Sequence, residues 1–149
     1  MNTPNLPKLV EIPPKMWKRF GKGKMLVPSP LEIEALIRTV RKGKLVTVPA
    51  LKEYLAGKFG ANSTCPLATG IFVRIVAEAA EEDAAAGNRR ITPYWRVVKE
   101  DGSLNPKFPG GVARQAGRLM EEGHRILPGR GKQPPRVAEV SRSSGRIAS

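Results

Sequence analysis

A mainly α-helical fold with one small β-hairpin, arranged as a winged helix-turn-helix, is expected from three features of this 149-residue chain. Two helical patterns joined by a short glycine-containing turn occupy its middle, an Asp-Gly turn signal follows them, and a last amphipathic helix closes the run. The length fits one domain with tails. Hydrophobic residues make up 40% of the chain and aromatics are few, so the core should consist mainly of Leu, Ile, Val and Ala.

Residues 1–27 mix prolines and glycines with lysines and read as an extended basic arm, with Trp17 and Phe20 as docking points. Ser29-Pro30-Leu31-Glu32 reads as a capping box: Ser29 is the N-cap, proline takes the first helical position and Glu32 reaches back to the cap amide. Ile33, Leu36, Ile37 and Val40 follow at helical spacing, and Gly43 is the expected stop. Leu45-Val46-Thr47 reads as an apolar link, and Pro49 opens a second helix with Leu51, Leu55 and Phe59 on one face. After the turn Gly60-Ala61-Asn62-Ser63, Thr64 is the candidate cap of a third helix that begins at Pro66 and points Leu67, Ile71, Ile75 and Ala79 inward. Its end is acidic, so nucleic acid should meet only its N-terminal half.

Beyond Gly87, Tyr94 to Val98 alternates bulky residues as a strand does, and Glu100-Asp101-Gly102-Ser103 supplies the turn of a hairpin, the wing. Gly110-Gly111 precedes a helix from Val112 to Glu122 with Gly123 as its stop. Residues 125–149, rich in Pro, Gly, Ser and Arg, read as a disordered basic tail, which leaves 28–124 as the folded domain.

Lys and Arg outnumber Asp and Glu by 26 to 13, a net charge of +13 that attracts polyanions, nucleic acid first. The surplus lies in 1–24, 38–58 and 125–149, whereas 59–124 is balanced. Basic tails by themselves also serve solubility, but the segment 38–58 lies within the fold. No run approaches the roughly 18 to 20 apolar residues of a membrane span, and the first residues lack the apolar core of a secretion signal. A cytoplasmic monomer without membrane contact is expected. Cys65 stands alone and forms neither an internal disulfide nor a cysteine-based zinc site. With His124 the single histidine, no metal and no cofactor are expected.

Pro93-Tyr94-Trp95-Arg96-Val97-Val98, then Asp101-Gly102, Gly110-Gly111 and Leu119-Met120-Glu121-Glu122-Gly123-His124, resemble the DNA-binding domain of alkylguanine-DNA alkyltransferases over about residues 28–124. Pro28-Ser29-Pro30 and Gly43-Lys44-Leu45-Val46-Thr47 match the same layout upstream. The resemblance implies a winged helix-turn-helix that binds double-stranded DNA and accommodates a flipped base. In that family a cysteine thiolate takes the alkyl group, activated through a histidine and a glutamate. Here Tyr94 stands at the cysteine position, Trp95 at the histidine position and Glu122 at the glutamate. A phenol with an ordinary pKa near 10 is a weak alkyl acceptor at neutral pH, so no alkyl transfer is expected.

The pattern is similar to the alkyltransferase-like members, which bind alkylated DNA without repairing it and recruit other repair proteins. On this reading Tyr94, Trp95, Arg96 and Glu122 form the base pocket, with the two rings stacking on an extruded base; the other reading of the rings is plain core packing. Lys42, Lys44, Thr47, Lys52, Thr69, Arg74 and Lys99 are the candidate DNA contacts. Val48 departs from the family, whose turn carries a tyrosine there, and Arg74 lies a few positions from the helix arginine that fills the vacated stack, so a plain surface role for it stands beside the functional one. Two rivals accompany this reading: a nucleic-acid-binding module without lesion preference, and a residual alkyltransferase using Cys65, which sits on the wrong element and reads more simply as a packed residue.

Overall fold

The structure, a computed structural model, describes residues 5–138. The stretch expected to be an extended arm is folded. Strand β1 (Lys8–Glu11) is followed by a 3-10 turn, Pro14–Met16, the one-turn helix α1 (Trp17–Phe20) and strand β2 (Lys24–Val27). β1 pairs antiparallel with β2 from Lys8↔Val27 to Glu11↔Lys24. Trp17 closes the connection by donating its indole N–H to the Ile12 carbonyl at 2.8 Å. Met25 and Leu26 on β2 are buried in the domain core, which ties the segment down.

Helix α2 (Pro30–Arg38) starts as expected: Ser29 accepts the Glu32 amide at 3.2 Å and Pro30 opens the first turn. Glu32 does not complete the reciprocal bond; its carboxylate lies 3.6 Å from Lys58. The helix ends at Thr39, where the hydroxyl donates to the Leu36 carbonyl, and not at Gly43. Gly43, at φ +83°, turns its amide toward Glu122 at 3.3 Å.

The expected link is strand β3 (Val46–Thr47), and Thr47 caps helix α3 (Val48–Lys58) by accepting the Ala50 amide. Strand β4 (Ser63–Thr64) pairs parallel with β2. Thr64 is not a helix cap, since its buried hydroxyl donates to the Lys52 carbonyl at 2.7 Å and Cys65 takes the N-cap position without a side-chain bond.

Helix α4 (Pro66–Ala85) is 20 residues long and is rotated from the expected orientation. It buries Thr69, Val73, Val76, Ala77 and Ala80, and leaves Leu67 and Ile71 at 73% and 43% exposure. Leu67 and Ile71 share their stripe with Arg74, Glu78 and Glu82, which burial would leave desolvated; holding these charges in water turns the whole stripe outward.

The expected strand 94–98 is a 3-10 turn, Tyr94–Arg96, followed by the two-residue strand β5 (Val97–Val98), parallel to β3. The Asp-Gly turn forms, with Gly102 at φ +87° donating to the Lys99 carbonyl and Lys99 donating to Ser103, but among the described residues no strand after it pairs with β5, so the expected hairpin is not formed there. Gly110 is left-handed at the start of helix α5 (Gly111–Glu121), and a Cβ there would lie 2.6 Å from the Arg114 Cβ, so only glycine fits. The tail expected to be disordered is folded as far as it is described: strands β6 (Ile126–Leu127) and β7 (Arg136–Val137) form a hairpin that buries Val137. Residues 139–149 lie outside the described residues.

The fold is therefore mainly helical with small sheets. Its aliphatic core runs from Leu26 through α2, α3 and α4 to Leu119. No helix among the described residues is long and apolar enough to cross a membrane.

Candidate nucleic-acid interface

Tyr94, Trp95, Arg96 and Glu122 are brought together, but into a closed network. Tyr94 is 0% exposed, packed edge-on between Trp95 and Phe108 with ring centroids 5.4 and 5.3 Å away. Its hydroxyl donates to the Glu81 carboxylate, which also receives Arg118 Nε and Arg114 Nη2, each at 2.9 Å. Burial of Glu81 pushes its pKa up, yet the hydrogen bonds from Arg118, Arg114 and Tyr94 outweigh it and hold the group at about 2. Burial, then the Glu81 carboxylate beside it, push the Tyr94 phenol above its ordinary value. The hydroxyl thus stays protonated and shielded, which removes it as a nucleophile.

Glu122 anchors the other half. Trp95, at 8% exposure, donates its indole N–H to Oε2 at 3.0 Å. Arg96 pairs with the same carboxylate at 2.6 Å through Nη2 and donates Nη1 to the Val40 carbonyl. Burial raises the Glu122 pKa, but Arg96, Trp95 and the Gly43 amide outweigh it and leave it below the ordinary carboxylate value. Gln115, also fully buried, donates to the Trp95 and Val97 carbonyls and accepts the Asn105 amide, fixing the 94–98 segment to the loop before α5. Both rings pack in the core, and the edge of Trp95 also lines a surface cavity.

The sequence reading places Glu81 only in the acidic end of α4 and does not single out Arg114, Arg118 and Gln115. The four-residue spacing of Arg114 and Arg118 was the available signal, because it sets both on one helix face. His124 is buried with no partner for Nε2 among the described residues, and burial lowers its pKa. Among the described residues no cluster of His, Cys, Asp or Glu is arranged to hold a metal.

The candidate DNA contacts divide. Thr69 is fully buried and its hydroxyl donates to the Cys65 carbonyl, so it faces the core and not a ligand. Thr47 is engaged as the α3 cap, and Lys52 is half-buried. Lys42, Lys44 and Lys99 are exposed, and Arg74 lies 3.6 Å from Glu78 at the surface. A groove of about 310 Å³ runs between the N-terminal half of α4 and the loop after β5, lined by Leu67 and Ile71 with Arg74, Lys99 and Lys107 around them. The exposed leucine and isoleucine were expected in the core and form the apolar floor of a cationic groove instead.

A second cavity, of about 490 Å³, is lined by Arg38, Arg89 and Arg90 with Trp95, Arg96 and Arg118 behind them. It adjoins Ala84, about 25 Å along α4 from Leu67 at a rise of 1.5 Å per residue.

No family model matches the chain, and no curated protein sequence matches it. Among solved structures, it is similar to S. pombe Atl1 in complex with damaged DNA containing O6-carboxymethylguanine, with a TM-score of 0.51 and 17% sequence identity over 78% of this chain and 94% of that one. The fold of this chain is thus like that of an alkyltransferase-like protein.

Proposed function

We propose that this chain is a non-enzymatic protein that binds double-stranded DNA as a winged helix-turn-helix, presenting the N-terminal half of α4 and the loop after β5 to the duplex. The observation that carries the reading is the groove in which Leu67 and Ile71 lie among Arg74, Lys99 and Lys107. Cations at such a groove neutralise phosphates, and apolar side chains at its floor are the type that minor-groove proteins press against base steps. The acidic C-terminal half of α4 points the duplex away from that end. Alkyl transfer is left out of this reading, because Tyr94, which the resemblance sets at the acceptor position, is a buried phenol hydrogen-bonded to Glu81.

A second reading, binding of alkylated guanine as a signal to other repair proteins, is favoured by the likeness to a protein held on damaged DNA and by the 490 Å³ cavity at the edge of Trp95 and Arg96. The closed packing of Tyr94 favours the first reading, because a base cannot stack on a ring with no free face.

Fluorescence-anisotropy titration of matched duplexes carrying guanine or O-methylguanine at one position, repeated over a salt series, tests both. Equal affinity for the two duplexes with a steep loss in salt supports general duplex binding. Tighter binding of the modified duplex selects the second reading, and absence of binding to either at low salt overturns both.

A further inference from the structure

The C-terminal hairpin is built onto the Asp-Gly turn at Asp101-Gly102. Ser103 pairs with Arg136 across an antiparallel bridge, Val137 donates its amide to the Gly102 carbonyl at 2.9 Å, and Leu104 donates to Pro135 at 2.9 Å. Its tip is closed by the Gln133 amide on the Arg130 carbonyl at 2.9 Å, and a Cβ on Gly129 would fall 2.3 Å from the Gln133 carbonyl oxygen, so the tip is tight. Between turn and hairpin lies a trough of about 830 Å³ whose charged lining is Lys99, Arg130 and Arg136 against Asp101. The Asp101 carboxylate accepts the Ser103 amide at 2.9 Å. Arg130 and Arg136 are exposed, and neither forms an ion pair among the described residues. Lys99 lines both this trough and the groove beside Leu67, so the two cationic surfaces are continuous.

From this continuity we infer that the β6–β7 hairpin is a second wing, in which Arg130 and Arg136 hold the phosphodiester backbone of a DNA duplex seated on the α4 groove. The inference rests on the duplex-binding reading above. Planar guanidinium forks on a short, hydrogen-bonded hairpin suit phosphate oxygens, and such contacts carry no sequence information. Asp101, which also lines the trough, and the neighbouring Glu100 repel phosphate at the turn itself, so the backbone meets the hairpin at Arg130 and Arg136, away from the turn.

The test compares the full chain with the double variant Arg130→Ala and Arg136→Ala. Because both side chains lie outside the core, the melting temperature should not change; if it falls, Arg130→Gln with Arg136→Gln replaces that pair. In anisotropy titrations of an unmodified duplex, losing two phosphate contacts lowers the slope of log affinity against log salt by about 1.8, so the advantage of wild type over variant shrinks about 12-fold between roughly 50 and 200 mM salt. Hydroxyl-radical footprinting should show backbone protections that the variant lacks. A wild-type protein with a steep slope and a variant with the same slope and footprint overturns the second wing but leaves duplex binding standing. A wild-type protein that binds no duplex overturns both.

Discussion

Glu81→Gln removes one negative charge from beneath Arg114, Arg118 and the Tyr94 hydroxyl while keeping the shape of the side chain. In the folded protein the carboxylate titrates at about 2 against an ordinary 4.5, since its three donors outweigh the burial that pushes it up. At about 1.4 kcal/mol per pH unit, that displacement corresponds to about 3 kcal/mol of stability at neutral pH. The side chain is 12% exposed, so solvent screening removes little of it. A depressed carboxylate pKa stabilises the fold fully above the unfolded value and loses its contribution as pH falls from 4.5 toward 2. Urea unfolding followed by tryptophan fluorescence should therefore place the variant about 3 kcal/mol below wild type at pH 7 and about half that at pH 3. A deficit under about 1 kcal/mol at pH 7, or one that stays constant between the two pH values, would refute the carboxylate lock on Tyr94.

Three further outcomes follow from the same geometry. Leu67→Ala with Ile71→Ala should change stability by no more than about 0.5 kcal/mol in thermal melts, because both side chains are exposed, while weakening duplex affinity by more than about 1 kcal/mol. Lys99→Ala with Lys107→Ala should lower the slope of log affinity against log salt by about 1.8 in anisotropy titrations, and an unchanged slope removes these lysines from the interface. Tyr94→Cys, which returns a thiol to the acceptor position, should give no mass increase after incubation with O-methylguanine duplex, since the Glu81 carboxylate disfavours a thiolate there and Trp95 supplies no base; an adduct on the introduced thiol would show the site to be open.

Local rules were legible where the physics is local. Ser29 capping the Glu32 amide, Pro30 and Pro49 in first turns, and Gly102 and Gly110 in the left-handed region each depend on a few neighbouring residues. The sheet of β1, β2 and β4 was not legible, because Leu26 meets Thr64 across a long stretch of chain and nothing near Leu26 encodes that partner. In α4 apolar residues occur on every side, so spacing alone offered two faces; the charges at Arg74 and Glu78 chose between them. A resemblance located Tyr94 and Trp95 in the sequence but not their burial, which depends on Glu81, Arg114 and Arg118 from two other helices. The C-terminal strands are only two residues each, and the Pro, Gly and Arg around them mask Ile126-Leu127 and Val137.

Backbone hydrogen exchange of the full chain with and without a saturating duplex locates the interface most directly. Binding at the α4 groove should slow exchange in residues 66–74 and 99–107 and leave 91–96 as it is in the free protein. Protection confined to 91–96, with none in 66–74, would contradict the groove and place the nucleic acid at the Trp95 cavity instead.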